Sequence, residues 1–150
     1  MAGTTTMSIY LRPALESDQA FLRRLHRAAY EALTVRLYGE WNDGREEERF
    51  AAKVQRAAYQ VIERGGQRVG AVSRSELDDH IRLYDLMILP AQQRCGIGSQ
   101  VLLAEVERAA GKPLRLHTSV MNDGAQRFYR RQGFVEVGRD EEFVDFERAG

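Results

Sequence analysis

Three places along this 150-residue chain combine residue types and spacings able to do chemistry. The first is the loop AQQRCGIGS after Pro90, which holds Gln93, Arg94, Cys95, Gly96, Ile97, Gly98 and Ser99. A strand, a proline, a glycine-containing loop and a helix follow one another here. A helix start leaves about four unpaired N–H groups and carries about half a positive charge, so a phosphate or diphosphate can settle on it. Gly96 and Gly98 let those amides approach an anion, and Arg94 adds a cation. Paired glycines also occur in plain strand-to-helix turns. The dinucleotide fingerprint is absent, because position 101 is Val101, and no Gly-Lys-Ser/Thr follows to make a phosphate loop. The second place is Asp85, the odd residue in the apolar run IRLYDLMIL. A lone carboxylate there is expensive unless it serves something, as a base, or reaches solvent or an arginine such as Arg82 or Arg115. The third is Tyr129 in AQRFYRRQGF, a phenol whose ordinary pKa of about 10 keeps it protonated at neutral pH. Phe128 and Tyr129 equally suit simple packing with Ala125 along one helix face.

Other chemistries are disfavoured. Cys95 is the only cysteine, which excludes an internal disulfide and a cysteine-based zinc site. It lies near a helix start, where a covalent intermediate could be imagined, but no obvious histidine partner activates it as a nucleophile. His26, His80 and His117 fall on a helix, a turn and a strand without metal-ligand spacing, so they read as structural or surface residues and no metal is expected. The 22 basic and 22 acidic residues cancel, leaving no net field to draw the protein onto nucleic acid or an anionic membrane. The opening MAGTTTMS has no basic stretch followed by an apolar run, and nothing approaches the ~20 apolar residues of a membrane span. A reducing, cytoplasmic setting is the expectation, with residues 1–7 a disordered tail on a single domain spanning 1–150.

The elements that must position these residues follow from periodicity and punctuation. A strand is expected at 8–12 and a helix at 18–36, capped by Ser17 or Asp18, with Phe21, Leu22, Leu25, Ala28, Ala29 and Leu33 on its buried face. The turn-like YGEWNDG precedes a charged helix at 45–57. Strands at 59–62 and 68–72 flank Gly65 and Gly66 as a hairpin. Residues 81–89 read as a central strand with both faces mostly covered. A helix at 99–110 closed by Gly111, a strand at 114–120, a helix at 122–132 with Asn122 as N-cap and Gly133 at its end, and strands at 134–138 and 142–146 complete the chain.

The segment PAQQRCGIGSQVL resembles the acetyl-CoA-binding motif of the GNAT superfamily of N-acetyltransferases, Q/R-x-x-G-x-G/A, with Gln93, Gly96 and Gly98 at its fixed positions. About twenty residues on, LHTSVMNDGAQRFYRRQGF resembles that superfamily's second cofactor motif through Asn122, Ala125, Tyr129 and the Gly133-Phe134 pair. Two motifs at the right separation are far more specific than one. Arg94 and Cys95 stand where many relatives carry other residues.

The resemblance implies an α/β (α+β) fold: a mixed, mostly antiparallel sheet flanked by about four helices, whose fourth and fifth strands splay to admit pantetheine. It implies acetyl-CoA as co-substrate, an amine of a small molecule or protein as acceptor, and direct attack with no covalent enzyme intermediate. Met87, Ile88 and Leu89 match positions whose backbone holds pantetheine, and Asn122, Ala125 and Phe128 the cofactor arm. Tyr129 matches the general acid. Holding a lysine-like amine neutral at pH 7 costs about 4 to 5 kcal/mol, so a base or water chain is expected. Asp85 leads that search, ahead of Glu40, Asp78 and Asp79. Tyr38 and Trp41 border the acceptor side as pocket lining or as anchors of their loop. The final strands and first helices offer a possible homodimer face.

Overall fold

The computed structural model describes residues 8–93 and 95–150; the expected tail at 1–7 and Arg94 lie outside the described residues. Strand β1 is Ile9–Pro13, and helices α1 (Gln19–Tyr38) and α2 (Asp43–Arg56) follow it. Strands β2 (Tyr59–Arg64) and β3 (Gln67–Glu76) form the hairpin, turning on Gly65 and Gly66 at φ 59° and 77°. Two successive positive φ values are what a two-residue turn between twisted strands requires. Strand β4 (Ile81–Ile88), helix α3 (Ile97–Ala109), strand β5 (Leu114–Ser119), helix α4 (Asp123–Arg131) and strands β6 (Val135–Arg139) and β7 (Phe143–Arg148) complete the order.

The sheet runs β1-β2-β3-β4-β5-β7-β6, antiparallel everywhere except between β4 and β5. That parallel pair joins only at Ile81 with Leu114 and Arg82 with Arg115, and then the strands part. On one face α1 and α2 bury Phe21, Leu22, Leu25 and Phe50 against Tyr59, Val61, Ala71 and Met87. On the other, Ile97, Val101, Leu102 and Ala109 of α3 pack on Ile62, Val72, Leu83, Leu114 and Phe146, with Phe128 and Tyr129 of α4 against the same core.

Within β4 the register slips. Ser73 pairs with Asp85 but Arg74 pairs with Leu83, which leaves Tyr84 as an extra residue, a β-bulge. Ser73 and Arg74 point to opposite faces, and so therefore do Asp85 and Leu83 although they are two apart. Ile81 and Leu83 join the α3 core, whereas Met87 joins the α1–α2 core and Asp85 turns the same way. The intervening residues are half-buried, so the strand is not evenly covered on both faces.

Several boundaries differ from the sequence reading for local reasons. Helix α1 continues to Tyr38 and stops where Gly39 takes φ 84°. Its expected face holds only in its first half, since Ala28 and Ala29 are exposed while His26 and Thr34 are buried. Helix α3 begins two residues early because left-handed Gly96 is its N-cap, and Ala110 and Gly111 both turn left-handed at its end. Asp18 sits at the N-cap of α1 but does not cap it. Its carboxylate accepts from Arg12 at 2.7 and 3.0 Å, from the Leu15 amide at 2.8 Å and from Arg68 at 3.3 Å, tying β1 and β3 to the helix start.

Asp18 is only 2% exposed, and the Arg12 guanidinium holds its carboxyl well below the usual range. Asp18→Asn is expected to lose about 1 to 3 kcal/mol at pH 7, since the buried amide cannot replace the charge-assisted bonds that the carboxylate accepts from half-exposed Arg12 and from Arg68. The folded pKa being depressed, this stabilisation is present above the unfolded carboxyl value near 4 and is lost as pH falls. Urea unfolding at pH 7 and pH 3 should show wild type and variant converging at the lower pH.

Candidate active site

The parting of β4 and β5 opens a cleft of about 680 Å³ that runs from the start of α3 between the strands to α1. One end is suited to an anion. Gly96 has φ 77°, a conformation that side chains resist, and this turn starts α3. The first intrahelical bond is made by Gln100 N–H to the Gly96 carbonyl at 3.1 Å, so the amides of Ile97, Gly98 and Ser99 precede the helical ladder. Gly98 is constrained by contact instead: a Cβ there would lie 2.9 Å from the Phe128 ring. Gln93 turns inward and donates to the Ile88 carbonyl at 3.1 Å, pinning the loop to the end of β4.

Arg127 and Arg131, one turn apart on α4, line the same cleft, and neither forms an ion pair with a described carboxylate. With Arg94 undescribed, they are the cations seen at this end. Asn122 caps α4 by accepting from the Ala125 amide at 3.1 Å, which places Ala125, Phe128 and Tyr129 along the cleft wall.

At the other end Tyr129 packs edge-on to Phe128 and Phe134, with ring centroids 5.2 and 5.5 Å apart. Its hydroxyl has no hydrogen-bond partner among the described residues, and the side chain lines the cleft. Burial, then the charge of Asp85, pushes this phenol well above its ordinary value, so it stays protonated at any physiological pH.

Asp85 lies behind the cleft wall. Its carboxylate, 5% exposed, accepts a short hydrogen bond from Tyr30 and one from Tyr59 at 2.6 Å. Lys53 Nζ stands 3.7 Å away and Arg56 Nη2 3.6 Å away. Burial opposes its charge, but these cations and phenols prevail and hold the carboxyl below its ordinary value. Its partners are Lys53 and Arg56 rather than Arg82 or Arg115. Tyr30 reaches from Asp85 to the cleft, and Tyr84, the bulge residue, lines it with the Arg56 guanidinium 4.1 Å above its ring.

The cleft thus brings together Met87, Ile88, Gln93, Gly96, Ile97, Gly98, Ser99, Asn122, Ala125, Phe128 and Tyr129. Leu89, exposed Cys95, Asp85, Tyr38 and Trp41 are not among its lining residues. Tyr38 is clasped by Arg45 and Arg49, and half-buried Trp41 packs on His26 at 5.9 Å, as an anchor would. Glu40 is exposed near these, and Asp78 and Asp79 sit in the β3–β4 turn, at the end of β4 remote from the α3 loop. Sequence reading passed over Tyr30, Lys53, Arg56, Tyr59, Arg127 and Arg131. The spacing of the last two at i and i+4 was a visible signal; the others meet Asp85 only through tertiary packing.

The profile of the Acetyltransferase (GNAT) family matches residues 21–134, and this chain belongs to that family. Among solved structures it is similar to the PaiA N-acetyltransferase of Thermoplasma acidophilum in complex with coenzyme A, at 17% identity and a TM-score of 0.77, covering 96% of this chain and 100% of that one. An acetyltransferase from Thermus thermophilus gives 20% identity, a TM-score of 0.77 and coverage of 97% and 99%. The ribosomal-protein-S18-alanine N-acetyltransferase of Escherichia coli gives 17%, 0.69, 95% and 94%. Among curated proteins no sequence matches. No described helix is long and apolar enough to cross a membrane.

Behind Asp85, His26 is 3% exposed and its Nε2 lies 3.1 Å from Lys53 Nζ. Burial, then the Lys53 charge, lowers its pKa to about 4. The unfolded imidazole, near 6.5, protonates first, so stability falls as pH drops from 6.5 towards 4 and levels off below. The loss from this group is about 3 kcal/mol. In urea titrations between pH 7 and 4, His26→Gln, which keeps an acceptor for Lys53 but does not titrate, is expected to lack that part of the slope.

Proposed function

We propose that this protein transfers the acetyl group of acetyl-coenzyme A to a primary amine, on a small molecule or a protein, by direct attack. The observation that carries this reading is the continuity of the cleft from the α3 amides, between β4 and β5, to the free hydroxyl of Tyr129.

The residues fit coenzyme A. The amides at Ile97, Gly98 and Ser99, with Arg127 and Arg131, suit a diphosphate or phosphate. Past Arg82, the edge of β4 towards β5 has no strand partner among the described residues, so its backbone around Leu86 is available to an extended, amide-bearing arm, while the Ile88 carbonyl already accepts from Gln93. The bound thioester would supply an activated acyl carbon and a thiolate leaving group. Tyr129 donates a hydrogen bond, and then its proton, to the departing sulfur. Asn122 caps the start of α4, the helix that carries Tyr129. Burial, and after it the charge of ionised Asp85, keeps Tyr30 and Tyr129 in their protonated forms. Asp85 is also the fixed negative charge behind the wall at which an amine would arrive. A cytoplasmic setting, where acetyl-CoA is made available, accords with this chemistry.

Tyr129→Phe is expected to cut release of coenzyme A thiol from acetyl-CoA, followed across an amine panel, by about 10²- to 10³-fold. Coenzyme A at 100 times its Kd should still stabilise wild type and variant alike, by about 2.7 kcal/mol. Stabilisation without turnover by wild type on a broad panel would instead indicate a silent acyl-CoA-binding module, and absence of both would refute the proposal.

A further inference from the structure

The reaction read above needs a group that takes a proton from the amine, and Asp85 is poorly placed for it. Its carboxylate lies outside the cleft lining, is occupied by two phenols, and is held ionised by two cations. A suitable acceptor would line the cleft, carry a free lone pair and be unprotonated at neutral pH without being held so by fixed cations.

His117 meets each requirement. On β5, Leu114 and Leu116 point into the α3 core, so His117 emerges on the opposite face, the one that Asp85 and Met87 share on β4. It lines the cleft with Tyr84, Tyr30 and Tyr129. Its ring stacks on Phe143 of β7, with centroids 4.1 Å apart and planes inclined by 7°. That stacking fixes the plane of the imidazole and covers one face while its edge stays open. Neither ring nitrogen has a hydrogen-bond partner among the described residues, in contrast to His26, which meets Lys53, and His80, which meets Asp79 at 2.8 Å.

The charged groups around it come from four places: Arg82 on β4, Arg56 on α2, Asp145 on β7, and Asp140 in the β6–β7 turn. Although the residue is exposed, desolvation of the ring by its neighbours acts first, then Arg82, and together they hold the imidazole pKa below its ordinary value against the two carboxylates. The ring is therefore neutral at pH 7 and able to accept.

Resting on the acetyl-transfer reading, we propose that His117 is the general base, accepting the amine proton directly or through one water. The new bond joins the amine nitrogen to the acyl carbon as the carbon–sulfur bond breaks. The nitrogen's proton passes to His117 and the Tyr129 proton to sulfur. The imidazolium then gives its proton through solvent to the phenolate, so amine and thioester become amide and thiol with both residues restored.

The test uses the full chain with spermidine and with an alanine-initiated peptide as probe amines. It combines pH profiles of kcat/KM with titration of coenzyme A affinity for wild type, His117→Asn and His117→Ala. Expected are a loss in kcat on the order of 10²-fold or more with unchanged coenzyme A affinity, and disappearance of an acidic limb that lies below pH 6.5 in wild type. Added imidazole should also restore part of the rate to His117→Ala. A full rate in the variants, or a loss in which the limb persists and imidazole restores nothing, overturns the assignment while leaving acetyl transfer intact. Failure of wild type to bind coenzyme A overturns both.

Discussion

Strands β4 and β5 hydrogen-bond through only two residue pairs before they separate, and the rest of the site is arranged around that separation. Unpaired strand edges inside a sheet are costly, because each buried N–H or C=O left without a partner forfeits about 1–3 kcal/mol. The opening persists because each strand is secured on its far side. Strand β4 is zipped to β3 from Gly70 to Glu76, and β5 to β7 from Leu114 to Ser119. Arg36, near the end of α1, donates to the Met121 carbonyl beyond β5 at 3.3 Å and bridges the two halves. The sheet thus behaves as two well-paired halves joined at one end, with its unsatisfied edge concentrated where an extended ligand can complete it.

The bulge at Tyr84 decides which chemistry faces which side of that opening. Were β4 regular, Asp85 would share the face of Leu83 and enter the largely apolar α3 core. The extra residue turns it towards α1 and α2 instead, into a cage of Tyr30, Tyr59, Lys53 and Arg56. Helices α1 and α2 thus supply Tyr30, Lys53 and Arg56 to neutralise one residue of the central strand. The contrast with Glu105 is instructive. That carboxylate is fully buried on α3, its nearest cation is Arg74 at 3.1 Å without hydrogen-bond alignment, and its pKa is raised by burial.

Much of this was legible in the sequence wherever the determinant is local. The hairpin at Gly65-Gly66, the Asn122 cap, the left-handed stops at Gly133 and Gly111, and the glycine turn before α3 all depend on residues within a few positions of one another. The bulge was not legible, because a register slip is defined by the partner strand and IRLYDLMIL reads as one unbroken run. Nor was the Asp85 cage: Tyr30 lies 55 positions away and its helical spacing marks it simply as part of a half-buried face. The roles assigned to the two motif glycines also separate in three dimensions. Gly96 answers to backbone conformation and Gly98 to the Phe128 ring, a distinction that the pattern G-x-G does not carry.

Charge placement explains how a chain with no net charge presents a site suited to a polyanion. Its arginines are largely spent in pairs: Arg12 with Asp18 and Glu63, Arg23 with Glu47, Arg115 with Glu147, Arg139 with Glu136. Such exposed or half-exposed pairs contribute little each, but they cancel the field a scattered basic surface would otherwise project. Within the cleft, the uncancelled positive character seen among the described residues is local: the amides at the start of α3, with Arg127 and Arg131 of α4. Both act over roughly one Debye length, about 8 Å at physiological salt, so attraction is confined to a ligand already entering the opening. Selectivity for a phosphate-bearing thioester over other anions then has to come from the unpaired β4 edge and the reach to Tyr129, features of shape that a uniformly basic surface could not supply.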